Sequence, residues 1–159
     1  MLAPRRDGGF TYLALLFFVA AMGATLAATG LLWSTAQQRV KEQELLFIGN
    51  AFRQAIGDYY ERTPGALKRY PPSLDALLKD DRQAGTVRHL RRIYADPFTH
   101  QSKWGEIKSS DGGVKGVYSL SDETPIRKVG VALRASEGAA EVRYSDWQFI
   151  YEPVTQTGR

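Results

Sequence analysis

Cysteine is absent from the 159 residues, so neither a disulfide framework nor a thiolate metal site is available, and any folded domain must be held by its core alone. Histidine occurs only twice, at His89 and His100, eleven positions apart, without a His-Glu-x-x-His pair or a third ligand nearby. A Gly-x-Ser-x-Gly elbow, a phosphate-cradling glycine loop and a dinucleotide fingerprint are also missing, so the chain is not expected to be an enzyme. The most informative lack is local: from Phe10 to Gln38 there is no charged residue, although 24% of the whole chain is charged. The sequence therefore joins a greasy segment to a water-facing one. Its length allows one modest domain of about 100–150 residues beside that segment.

What is present begins with the apolar run itself. Phe10 to Trp33 is 24 residues of almost unbroken Leu, Ala, Phe, Val and Gly. A helix of that length at about 1.5 Å per residue matches the roughly 30 Å core of a bilayer, where a lone segment must be helical to satisfy its backbone. Arg5 and Arg6 precede it, which predicts a cytoplasmic N-terminus and an exported remainder. Trp33 falls at the far membrane–water interface and Tyr12 near the cytoplasmic one. A secretory signal peptide would have a shorter apolar region, of about 7–15 residues, before its cleavage site. Residues 24–28 (ATLAA) imitate such a site. A plain signal anchor is the other rival, and neither accounts for Gly8-Gly9-Phe10-Thr11 at the junction.

The stretch Arg5-Arg6-Asp7-Gly8-Gly9-Phe10-Thr11-Tyr12-Leu13 resembles the prepilin signature of type IV pilins and type II secretion pseudopilins. The resemblance implies cleavage between Gly9 and Phe10 by a membrane prepilin peptidase, N-methylation of Phe10, and packing of Thr11, Leu13, Ala14, Leu16 and Phe17 against neighbouring helices. It further implies other pseudopilins or pilins, an inner-membrane platform with its ATPase, and membrane lipid as partners. One departure stands out. The family usually has glutamate at the fifth mature residue, where this chain has Ala14. That glutamate is thought to offset the terminal amine of a neighbouring subunit, two charges costly in lipid. Family members that lack it are minor subunits at or near a filament tip.

Beyond the apolar run, Ala36, Val40, Leu45, Leu46, Ile48, Phe52, Ile56 and Tyr59 recur at three- and four-residue spacing. Arg39, Lys41, Glu42, Glu44 and Arg53 are expected mostly on the other side. The pattern predicts one helix over residues 10–61, ended by Thr63-Pro64-Gly65. Gly23, Gly30 and Gly49 each cost that helix about 1 kcal/mol relative to alanine. They read either as close packing between membrane helices or as a place where the helix melts on assembly, as the family does near residues 23–31. The family's usual proline there is replaced by Leu31.

The head opens with Tyr70-Pro71-Pro72-Ser73-Leu74-Asp75-Ala76-Leu77-Leu78, a short helix with Ser73 as N-cap, and this stretch also resembles pseudopilins. Asp96-Pro97 is a turn. Asp80-Asp81 is expected to be solvated, as is the basic run from Arg88 to Arg92, so nucleic acid is not an expected partner. Strands are predicted over residues 104–107, 114–120 and 147–151, with weaker ones over 129–133 and 140–144. Gly112-Gly113 and Ser136-Glu137-Gly138 supply reversals. Trp104, Trp147, Phe149 and Tyr151 are expected in the core. Residues 119–125 match the place where major pseudopilins carry a calcium loop, but Asp122 and Glu123 are its only carboxylates, so no metal or cofactor is expected.

The predicted architecture is α+β, a long helix, transmembrane in its first half, on a small antiparallel sheet. The predicted organisation is a leader over 1–9, a membrane and filament-core helix over 10–33, its exported half over 34–62, and a periplasmic head over 63–159. The expected function is a pseudopilin subunit of a type II secretion system, in the bacterial inner membrane and its periplasmic filament. A minor pilin of a type IV pilus and a bitopic protein that never polymerises remain as alternatives.

Overall fold

The computed structural model describes residues 8–65, 67–82, 85–127 and 142–153, with side chains along the first helix described for 10–26 and 33–61. The chain divides between Arg39 and Val40 into two compact units. Helix α1 runs over Gly8–Glu61, beginning two residues earlier than the apolar pattern indicates and ending where that pattern ends. The Thr63 hydroxyl donates to the Tyr59 carbonyl at 3.1 Å and covers one of the carbonyls the helix leaves open. Gly65 then turns the chain with φ of 88°, a left-handed value that a side chain disfavours.

In the second unit, α1 buries Leu45, Ile48, Phe52, Ala55, Ile56 and Tyr59 along one face. That face meets a three-stranded sheet in the order β1 (Gly105–Lys108), β2 (Val114–Tyr118), β3 (Gln148–Ile150). Both pairings are antiparallel, with Glu106 opposite Val117 and Val117 opposite Phe149. The reversal between β1 and β2 uses Gly112 at φ of 82°, while the Ser109 amide donates to the Gly113 carbonyl at 2.8 Å. The strands give the α+β head expected: β1 is shifted by one residue from 104–107, β2 ends two residues before 120, and β3 is one residue shorter at each end than 147–151. Trp104, Trp147 and Phe149 are buried there as expected, with Tyr151 partly buried beside them. The predicted strand over 129–133 and the Ser136-Glu137-Gly138 reversal lie outside the described residues, as do residues 140 and 141 of the other weak strand. Of that strand, Tyr144 falls instead in a 3-10 turn over Tyr144–Asp146.

Three local expectations are corrected. Leu74–Leu77 is a single 3-10 turn, and the Ser73 side chain makes no capping bond. The Leu77 carbonyl accepts the His89 and Leu90 amides at 2.9 and 3.0 Å, so the returning chain occupies the group that another helical turn would need. Asp80 is buried, as is the His89 side chain, although sequence placed both in solvent; Asp81, 3.0 Å from Lys79, and Arg88, Arg91 and Arg92 are exposed as expected. Glu42, expected on the outer face of the helix, is buried on the inner one.

Candidate functional site

The residues singled out for processing and packing all lie on the first unit's part of α1. Gly8 and Gly9 form its first residues, so the Gly9–Phe10 bond lies within the helix rather than before it. Phe10, Leu13, Leu16 and Phe17 are exposed, Phe10 by 81% and Phe17 by 77%, and Thr11 and Ala14 are exposed beside them. Tyr12, Leu15, Phe18, Val19, Met22 and Leu26 are exposed as well, so apolar side chains cover every side of this segment. An apolar surface of this extent is ordinarily covered by lipid or by other chains. Thr25 does not interrupt it, because its hydroxyl donates to the Ala21 carbonyl at 2.8 Å within the helix. The structure brings these residues onto one helix and leaves them exposed. Gly23 likewise has no neighbour that a methyl group would meet.

Among the described residues no helix is long and apolar enough to cross a membrane. The transmembrane first half read from the sequence therefore receives no support from the described side chains. Those side chains cover 10–26 and Trp33 of the 24-residue run.

Gly49 is not explained by either reading given to it above. A Cβ at Gly49 would stand 2.4 Å from the Phe149 ring, and one at Gly57 would stand 2.7 Å from the Tyr151 ring. These two glycines, eight residues apart on one face of α1, are seats for aromatic rings of the sheet.

The head contains three buried acids that sequence reasoning did not identify. Glu42 Oε1 accepts the Ile126 and Arg127 amides at 2.6 and 3.1 Å and the Tyr144 hydroxyl at 2.9 Å, tying the loop after β2 to the helix. Asp96 accepts the Phe98 amide at 2.8 Å and the Ser119 hydroxyl at 2.5 Å, so the Asp96-Pro97 turn is also a fastening for the end of β2. Asp80 accepts from Arg82 Nε and Nη2 at 2.8 and 2.7 Å and lies 3.1 Å from His89 Nε2. Hydrogen bonds from Arg82, and then from His89, hold the Asp80 carboxyl well below the ordinary carboxylate range, against a burial cost that acts the other way. Arg82 spans the Tyr59 ring at 3.4 Å and donates to Thr63 and the Tyr59 carbonyl. The signal for Glu42 was its position three residues before Leu45 on the apolar face; nothing local marks Asp80.

An open cleft of about 660 Å³ lies above this cluster, lined by Arg69, Tyr70, Arg82, Asp111, Gly112 and Gly113 among others. Arg82 commits four of its five guanidinium N–H groups to Asp80, Thr63 and the Tyr59 carbonyl, so it acts chiefly as a fastening within the fold. In the 119–125 loop Ser119 and Ser121 are buried, and Asp122 pairs with Arg143 at 3.3 Å rather than converging with Glu123. Among the described residues no group of three or more acidic or histidine side chains is placed to hold a metal. Comparison with protein-family models, with curated proteins and with solved structures gives no match to this chain.

Proposed function

We propose that this chain is a pilin-like filament subunit, a pseudopilin of a type II secretion system, processed between Gly9 and Phe10 and assembled through its N-terminal helix. The observation that carries the reading is the helix segment from Phe10 to Leu26, apolar on every side and exposed, directly behind Arg-Arg-Asp-Gly-Gly. In the inner membrane, lipid covers that surface; in a filament, the helices of neighbouring subunits replace it. The span rests on the uncharged run of residues 10–33, and the two preceding arginines orient the head to the periplasm. A prepilin peptidase and an ATP-driven assembly platform are the partners this function requires. Because the Gly9–Phe10 bond lies in the first turn of α1, the peptidase must unwind that turn to reach it, and the two glycines make the unwinding cheap. Ala14 supplies no carboxylate for a neighbour's terminal amine, which supports a minor subunit over the major repeating one.

The test is the intact mass and N-terminal sequence of the chain isolated from membranes with and without a prepilin peptidase. The expected product begins at N-methylated Phe10 only with the enzyme, and Gly9→Val blocks it. A chain that still begins at Met1, or one cut near Ala27, would overturn the reading.

A further inference from the structure

The sheet of the head has two outer edges, and they are defended differently. The Tyr151 amide donates to the Lys115 carbonyl at 2.9 Å, and the register sets Phe149 opposite Val117. Alternation along an antiparallel pair then turns the N–H and C=O groups of Gln148 and Ile150 away from β2. On the opposite edge the same rule turns those of Glu106 outward. There β1 carries two exposed charged side chains, Glu106 and Lys108, and its pairing shifts register between Ile107 and Lys108. Charges and a bulge are the usual protection of an edge strand against an added chain. β3 reads Gln-Phe-Ile, with no charge and an unbroken register. Among the described residues, the outward backbone groups of Gln148 and Ile150 have no hydrogen-bond partner.

A groove of about 410 Å³ runs beside this undefended edge, lined by Asn50, Arg53 and Gln54 of α1 and by Ile150, Tyr151 and Glu152. It lies wholly within the second unit. The Phe149 and Tyr151 rings sit on the helix side of the strand, against Gly49 and Gly57, so Ile150 and Glu152 alternate to the far side. The charge that an added strand meets on the helix side is therefore that of Arg53. This side chain is exposed and, among the described residues, has no ion pair. We infer that β3 is a docking edge for an extended segment of a partner protein, which joins the sheet as a fourth strand and sets a carboxylate against Arg53. Backbone bonds to Gln148 and Ile150 supply the affinity, and the Arg53 pair supplies the selectivity. A second copy of this chain is the poorer occupant: β3 paired antiparallel with its own twin would bring Arg53 against Arg53 on the helix side, and like charges facing each other across a strand pair are destabilising.

The test uses the full-length chain in detergent micelles and the probe peptide acetyl-Thr-Val-Glu-Val-Glu-Val-Thr-amide. Its valines and glutamates alternate, so the glutamates face the helix when the valines lie beside Ile150. At saturation, amide hydrogen exchange at Gln148 and Ile150 should slow by about tenfold or more, with Glu106 unchanged. The counterpart with lysine in place of both glutamates should bind about tenfold more weakly. Arg53→Glu, a change at an exposed position, should reverse the order of the two peptides. The acidic peptide N-methylated at every interior amide should not bind. Equal affinity for the two peptides, protection at Glu106 instead of β3, or binding that survives N-methylation would each overturn the docking edge. So would Gln148 and Ile150 amides that exchange slowly before any peptide is added, which would mean that another part of this chain or a second copy already covers the edge. The same series on a Gly9→Val chain should be unchanged, since the groove does not depend on processing, and either reading can therefore fail alone.

Discussion

Helix α1 passes through two environments, and they are built from different residues. Residues 10–26 place Phe, Leu, Val and Met around the whole circumference, and each of the large ones is exposed. Residues 45–59 place most comparable side chains on one face, where Leu45, Phe52 and Ile56 are fully buried, and leave Phe47 exposed. The glycines follow the same division. Gly23 meets nothing within its own chain, while Gly49 and Gly57 each hold an aromatic ring of the sheet. An apolar residue therefore carries different meaning in the two regions: in the second it stabilises this fold, and in the first it has no contact within the chain to stabilise.

The sharpest way to break the comparison is to remove one ring from each region. Phe149 is buried against Gly49, and Phe149→Ala should cost about 4 kcal/mol through lost burial and the cavity left behind. Phe17 is 77% exposed, and Phe17→Ala should change the stability of the head by less than about 0.5 kcal/mol. Urea denaturation of the full chain in detergent, followed by the near-ultraviolet signal of the buried Trp104 and Trp147, measures both. Equal losses would show that the two regions form one cooperative core.

Next in size is the buried acid. Asp80→Asn leaves Arg82 without its carboxylate partner and should cost about 3 kcal/mol, as expected when one member of a buried pair is removed. The same group sets an acid limit. Its pKa is depressed on folding, so its contribution is complete above the unfolded value near pH 4 and is lost as pH falls from there toward the lower folded value. Denaturation midpoints should therefore fall below about pH 4 in the native chain and fall less in Asp80→Asn. Identical pH slopes in the two would remove Asp80 from the account.

Much of this fold is written locally. The three- and four-residue spacing from Val40 to Tyr59 and the Thr63-Pro64-Gly65 stop mark the helix, and short β-branched and aromatic runs mark the three strands, because each signal depends on near neighbours. The buried acids are different. The spacing to Leu45 could have put Glu42 on the inner face, but the bonds it makes there come from Ile126, Arg127 and Tyr144, at least 84 positions away. Asp80 reads as half of an exposed acidic pair until the chain returns with His89. The candidate site was legible for the opposite reason: Phe10 to Phe17 need no contact within the chain to be recognised as apolar.

Gly49→Ala tests the seat directly. The added methyl group would meet the Phe149 ring at 2.4 Å, so the ring must shift, at a cost of about 2 kcal/mol typical of overpacking. Gly23→Ala, with open space around it, should instead favour the helix by up to about 1 kcal/mol. Urea midpoints for Gly49→Ala and helical circular dichroism for Gly23→Ala give the two signs, and a neutral Gly49→Ala would mean that the ring seat is soft.

A smaller loss is expected at the far end of the same face. Tyr151 seats against Gly57, and its hydroxyl donates to Glu61 Oε1 at 2.8 Å, joining β3's end to the last turn of α1. Tyr151→Phe should cost about 1 kcal/mol, the net worth of one hydrogen bond to a charged acceptor near solvent. Burial, and then the Glu61 carboxylate, push the phenol up to about 12. A phenol whose pKa rises on folding stabilises the native chain fully below its unfolded value near pH 10, and that stability is lost as pH climbs toward 12. Ultraviolet titration of phenolate should accordingly show a late-ionising tyrosine that Tyr151→Phe removes and Glu61→Gln brings forward. If Glu61→Gln left the late titration in place, burial alone would govern Tyr151, and the helix end would owe its attachment to the ring rather than to the hydroxyl.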